Sequence, residues 1–320
     1  MFGLGRVGRF DAAVAVALVQ VLAFAAAYVA DVPTAYAVFA LVSAVAVAAG
    51  SGRGAFETVL AAFGTALLLA LGLPLLMLAA RQDPDLVAEM ATRPGVQQAL
   101  YLSIYGPLLA ALAATVTGVP LAYLLSRGFP GQAAVASLVD LPLVVPHSVV
   151  GIMVLFAFGS GGAFPGVDVF LTMAGLVLAM AFVSAPYVVN AAREGFEATD
   201  GDLERASRSL GASQFESFRR VEWPLARRAV LTGALLSWAR AVSEFGAVAV
   251  IAYNVEFFYP LTGRVVTGQH APVLIHNTFL SEGLAESGAV SALLLSIVAV
   301  VFLVIRGVAY DDDESGGLPQ

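Results

Sequence analysis

The chain has 320 residues, 59% of them hydrophobic and only 12% charged. Soluble domains are about half apolar and about one-quarter charged, so this composition leaves too little polar surface for a water-soluble fold and excludes soluble enzymes and nucleic-acid binders. The net charge is −7, there is no cysteine, and every basic residue is arginine, which removes disulfides, thiolate metal sites, a cysteine nucleophile and a lysine-bearing phosphate loop. Any ATP chemistry then belongs to another chain. The acidic, lysine-free balance points to a high-salt organism (halophile).

A membrane-crossing helix needs about 20 mostly apolar residues. The apolar runs here are long and rich in Ala, Leu and Val rather than short and alternating, which favours helices over a barrel. Eight spans are predicted, in order: Ala12–Ala30, Pro33–Ala49, Phe56–Ala80, Val96–Ser126, Ala133–Gly159, Phe170–Ala192, Ala229–Ala252 and Gly288–Arg306. The first follows Arg6 and Arg9 but exceeds the apolar core of about 7–15 residues usual in a signal peptide, so it reads as a retained helix. Arginine placement sets the orientation. Arg6, Arg9, Arg53, Arg127, Arg193, Arg306 and the arginines between 205 and 228 fall on one side. Arg81, Arg93 and Arg264 fall on the other, and Arg240 lies inside a span. Both termini are then cytoplasmic, and Asp311–Glu314 forms a solvated acidic end.

The polar stretch Arg193–Arg228, between the sixth and seventh spans, has helical punctuation. Asp200 or Asp202 caps a start, and Leu203, Ala206 and Leu210 repeat on one face. Gly211 follows at a position that favours positive φ. Ser213-Gln214-Phe215-Glu216 is a capping-box pattern, and Trp223-Pro224 is expected to end the second helix. The loop reads as two short helices hinged at a glycine. It either rests on lipid headgroups or docks a cytosolic partner.

These residues carry a resemblance. Ala206, Gly211, Val221 and Pro224 keep the spacing of the EAA loop of binding-protein-dependent ABC importer permeases: Glu-Ala-Ala, three residues, Gly, nine residues, Ile-x-Leu-Pro. Arg205 stands where the pattern has its acid, with Glu204 just before it. Ser207 replaces the second alanine and Trp223 the leucine. The runs Pro120–Arg127, Asp140–His147 and Ser243–Ala247 resemble the molybdate/tungstate branch of that family, over roughly Phe56 to Arg306. The resemblance implies an all-α, polytopic helical bundle of the ABC importer type I permease fold. It also implies a second copy of the chain, two cytosolic ABC ATPase subunits carrying ATP and Mg, an extracytoplasmic oxyanion-binding protein, and no cofactor on this chain. The coupling loop would comprise Glu204, Arg205, Ala206, Ser207, Gly211, Ala212, Ser213 and Pro224. The division expected is an N-terminal extension at 1–55, a first core helix and extracytoplasmic loop at 56–95, a permease core at 96–308 with its loop at 200–224, and an acidic tail at 309–320.

Ionisable groups at bilayer depth are costly and face the protein interior or a wet cavity. Arg240 and Glu244 are four apart on one helix face and can pair. Pro142 and Pro146 interrupt the fifth span, with His147 and Ser148 at the break. The pair reads either as a structural lock or as part of a gate. The residues singled out for a pathway are Pro146, His147, Ser148, Arg240, Ser243 and Glu244. Gly159–Gly166 reads as a flexible turn. His270 and His276, six apart, fit no helical metal pair. Their loop, with Phe257, Phe258 and Tyr259, is expected to meet the binding protein or the membrane interface. The function read here is the membrane subunit of an ATP-driven oxyanion importer, for molybdate or tungstate first and sulfate or thiosulfate next. The rivals are an ion-gradient transporter, which would favour paired broken helices in the two halves, and a membrane enzyme, for which few titratable groups are available.

Overall fold

The computed structural model describes residues 19–50, 54–164 and 166–310, the last five without their side chains. The chain separates into two compact units, Met1–Arg81 and Gln82–Gln320.

The first unit holds α1 (Val19–Val29), α2 (Pro33–Gly50) and α3 (Ala55–Ala80). Phe24 of α1 meets Tyr36 of α2 edge-on at 5.3 Å between ring centroids. The Gln20 amide donates to Ser43 Oγ at 3.2 Å. The unit boundary follows Arg81, so Ala55–Ala80 groups with the two helices before it, although the sequence reading assigns 56–80 to the core. The physical reason is packing: Leu69, Leu73, Leu76 and Met77 of α3 cover the Phe24–Tyr36 cluster. The part of the first span before Val19, the loop 51–53 and the tail Asp311–Glu314 lie outside the described residues.

The second unit opens with α4 (Pro84–Thr92) and the 34-residue α5 (Pro94–Arg127). It continues through α6 (Gln132–Asp140), α7 (His147–Phe158) and α8 (Met173–Glu197). The polar segment after α8 follows as α9 (Gly201–Ser209), α10 (Gln214–Ser217) and a π turn, Phe218–Glu222. Then come α11 (Trp223–Val242), α12 (Gly246–Ile251), β1 (Val255–Tyr259), β2 (Arg264–Gly268), α13 (Ala271–Ser281) and α14 (Leu284–Tyr310). The centre is the mutual packing of α5, α8 and α11. Small residues set the distance between them. A Cβ on Gly118 would lie 2.8 Å from Val189, and one on Gly233 would lie 2.8 Å from the Ala191 methyl. In lipid, where apolar burial alone favours no particular helix contact, such close backbone approach supplies the packing.

Five described helices are long and apolar enough to span: α2, α3, α5, α8 and α14. The bent pair of α6 and α7 is a sixth if it is taken as one span, and the first expected span lies partly outside the described residues. Ala133–Gly159 is two helical segments bent by 115° at Val144–Pro146, since Pro142 and Pro146 remove donors there. The seventh run, Ala229–Ala252, is also broken: α11 ends at Val242 and α12 restarts at Gly246. Among the described residues of the second unit one β-hairpin occurs, in which Val255 pairs with Gly268 and Tyr259 with Arg264. Period-2 alternation buries Val255, Phe257 and Tyr259 and exposes Glu256 and Phe258. Tyr101 of α5 stacks on Phe257 at 6.0 Å and meets Tyr259 at 5.5 Å. Of the three aromatics expected at an interface, only Phe258 is free to reach one.

Candidate functional site

Two constellations lie on the second unit. The first is the loop after α8. Asp200 caps α9 by accepting from the Asp202 N–H at 2.9 Å. Leu210 closes the helix, and Gly211 takes φ +94° with open space around it. Ser213 and Glu216 form a full capping box. The hydrogen bonds from the Ser213 N–H and hydroxyl hold the Glu216 carboxyl below its ordinary pKa. Ser207 Oγ donates to Ser217 Oγ at 2.7 Å, pinning α9 to α10. The stripe Leu203, Ala206 and Leu210 is solvent-facing, and Leu210 is 88% exposed. Ala212 is half-buried and Phe215 exposed. The loop thus presents apolar side chains together with the exposed Arg205, Arg208, Arg219 and Arg220.

One expectation is corrected here. Trp223-Pro224 does not end the second helix. The chain passes from α10 through the π turn directly into α11, with Pro224 in its first turn. Proline is tolerated at that position because its missing donor would be an orphan at a helix start. Single π turns occur within α-helices, frequently at functional sites; here the turn ends on the buried Glu222.

The loop's polar contact was not legible in the sequence. Arg205 pairs with Asp202 at the surface, and Glu204, one residue earlier than the pattern's acid, is bound by Arg127. Arg127 also binds Glu222, which is 2% exposed. Burial raises the Glu222 pKa, against the pull of Arg127 and with the push of Glu204. The available signal was that Arg127 ends its span on the same side as the loop.

The second constellation brings together the residues singled out in the sequence around Arg240 and Glu244. Arg240 Nη2 lies 2.8 Å from Glu244 Oε2 and 2.7 Å from His147 Nε2, and Nη1 lies 3.2 Å from Ser243 Oγ. Glu244 is fully buried, and its Oε1 accepts from the Ala247 N–H at 2.8 Å, satisfying the first turn of α12. His147 Nδ1 is 3.5 Å from Glu244 Oε2. The two helix breaks, at Pro146 and at Ser243–Phe245, therefore meet. A Cβ on Gly246 would lie 2.9 Å from His147 Cβ. Pro146, His147, Ser148 and Ser243 are exposed in the single chain, beside a buried charge pair. A guanidinium held this way, with an open face next to it, is suited to meeting an anion.

His276 lies 5.1 Å from the Phe245 ring. His270 is fully buried, with the Glu244 backbone as its nearest hydrogen-bonding group. Burial pushes its pKa down to about 3. No group of metal-ligating side chains occurs among the described residues.

Comparison with known proteins places these features. The family model described as "Binding-protein-dependent transport system inner membrane component" matches residues 114–311, which include the loop and both helix breaks. The chain belongs to that family. This permease is 38% identical over 249 residues to the molybdate/tungstate transport system permease protein WtpB of Thermococcus kodakarensis, covering 77% of this chain and 93% of that one. It is also 38% identical to a probable molybdenum ABC transporter permease protein of Haloferax volcanii, over 75% of this chain and 86% of that one. A sulfate transport system permease protein of Synechocystis is 31% identical, over 68% and 76%. A crystal structure of a bacterial ABC transporter involved in alginate import contains a chain of the same fold, with TM-score 0.58 and 15% identity over 76% of this chain and 90% of that one. The permease is thus a multi-pass membrane protein with the ABC importer permease fold.

Proposed function

We infer that this permease is the membrane subunit of an ATP-driven importer of molybdate or tungstate. The carrying observation is the family match across the coupling loop together with relatives named for those anions. Sulfate is the second reading, favoured by the 31% identical sulfate permease. Two cytosolic ATPase subunits bind ATP and Mg and hydrolyse the nucleotide, and this chain does no covalent chemistry. Their closure is passed to residues 200–224, whose exposed Leu203, Leu210 and Phe215 suit an apolar cleft. An extracytoplasmic binding protein delivers the anion and sets most of the specificity.

A second copy of the chain completes the pathway. The exposed Val149, Ile152 and Phe156 of α7, beside the Arg240 site, support that face as one to be covered. Pro146, His147, Ser148, Arg240, Ser243 and Glu244 border the route. The two helix breaks provide its moving parts, because broken helices can shift without unpicking a continuous hydrogen-bond ladder. The arginine bias supports a cytoplasmic side for both termini, with residues 309–320. Residues 1–55 are an addition to the permease core.

The test is co-expression with an ABC ATPase and an oxyanion-binding protein from the same organism, followed by uptake of labelled molybdate into vesicles. ATP-dependent uptake that excess tungstate suppresses, and sulfate does not, supports the main reading. Suppression by sulfate alone supports the second.

A further inference from the structure

We propose that Arg127 is a positioning residue that braces the coupling loop to α5, so that ATPase motion enters the bundle through α5 as well as through the two helices the loop joins. The inference rests on the importer reading above and adds a third point of attachment to it.

The geometry is specific. Arg127 is the last residue of α5, and its guanidinium carbon lies 4.8 Å from the centre of the Tyr123 ring one turn earlier. Its Nη1 binds Glu204 in the middle of α9, and its Nη2 binds Glu222 at the end of the π turn. One planar fork therefore joins the end of α5 to two elements 77 and 95 residues further along the chain, which a lysine's single ammonium cannot do in the same way. Glu222 Oε1 is buried with no hydrogen-bond partner, and Arg127 is the cation that faces this carboxylate, with the Tyr123 hydroxyl as a further hydrogen-bonding group. Beneath the fork is an apolar knot. Tyr123 of α5 meets Phe196 of α8 at 5.4 Å and Phe218 of the π turn at 4.9 Å, both edge-on. A loop held only by its chain ends could swing past α5. This one is held to α5 at α9 and again at the start of α11.

Replacing Arg127 by alanine would strand Glu222 and endanger folding. Glu204→Gln instead cuts only the α9 attachment, and Arg127→Lys keeps the charge while losing the fork. The chain lacks cysteine, so spin labels on Phe129→Cys and Ser209→Cys report the distance between the end of α5 and α9. In the complete complex, with doubly labelled chain diluted by unlabelled chain so that the within-chain distance dominates, we expect one narrow distance distribution with and without ATP–Mg. Glu204→Gln should broaden it. Both variants should assemble with the ATPase yet import fewer anions per ATP than the wild type. A wild-type distance that changes on ATP binding, or an unchanged ratio of transport to hydrolysis in both variants, overturns the brace. A wild-type complex with no ATP-dependent uptake would contradict the importer reading instead, while the label distances still decide whether the brace holds.

Discussion

Arg240 and Glu244 face each other at the end of α11, 2.8 Å apart, with the carboxylate fully buried and the guanidinium also touching His147 and Ser243. The pair thus joins the break after α11 to the break before α7. Glu244→Ala removes one partner of a buried pair and orphans the Ala247 N–H. The expected cost is about 3–5 kcal/mol, read as a lowered thermal midpoint in detergent. An unchanged midpoint would show that the pair is structurally idle.

His147→Ala keeps the ion pair and removes only the ring on its exposed side. Thermal stability should move little, by about 1 kcal/mol or less, while anion uptake and binding-protein-stimulated ATP hydrolysis fall together. Wild-type values for both would remove His147 from the pathway.

Gly211 has open space around it, so any penalty there comes from the backbone rather than from a clash. At φ +94° a β-branched residue is strained by about 1–2 kcal/mol or more, whereas Asn is the mildest replacement. Gly211→Val should insert and bind lipid normally yet lose most uptake, and Gly211→Asn should retain more of it. Equal uptake in the two variants would contradict a hinge held by left-handed geometry.

Gly246 presents the opposite case. A Cβ there would meet His147 Cβ at 2.9 Å and the Ser148 nitrogen at 3.1 Å. Gly246→Ala should separate the two breaks and cost about 1–3 kcal/mol, the usual range for overpacking. Calorimetry would detect this, and uptake should fall along with stability.

His270 predicts the acid limb of stability. Its folded pKa is about 3, against the ordinary 6.5. Below 6.5 the unfolded chain takes up a proton that the folded chain refuses. Stability is therefore full above about 6.5 and is lost, by about 1.4 kcal/mol per pH unit, as pH falls towards 3. His270→Leu should flatten that limb when thermal midpoints are followed against pH. An unaltered slope would assign the acid loss to other groups.

The coupling loop was legible because its determinants are local. A capping box acts over three residues, and positive φ at Gly211 is a property of one position. The spans were less so, because hydropathy records composition and not direction. It joins α6 to α7 across a 115° reversal and α11 to α12 across Ser243–Phe245. Pro224 was read as a terminator because a proline looks the same at the end of one helix and in the first turn of the next. The hairpin carried its alternation openly in Val255, Phe257 and Tyr259, but it lay among aromatics that also suit an interface. The Arg240–Glu244 pair was accessible through its four-residue spacing. Arg127 with Glu204 and Glu222 was not, since sequence separations of 77 and 95 residues bring these together only in the folded chain.

Vesicles holding this permease, its ATPase and the binding protein, loaded with ATP–Mg and given labelled molybdate outside, test the central claim most directly. Accumulation that requires ATP hydrolysis and fails in Gly211→Val is the predicted result. Accumulation by vesicles that contain this chain alone, driven by an imposed ion gradient, would contradict it.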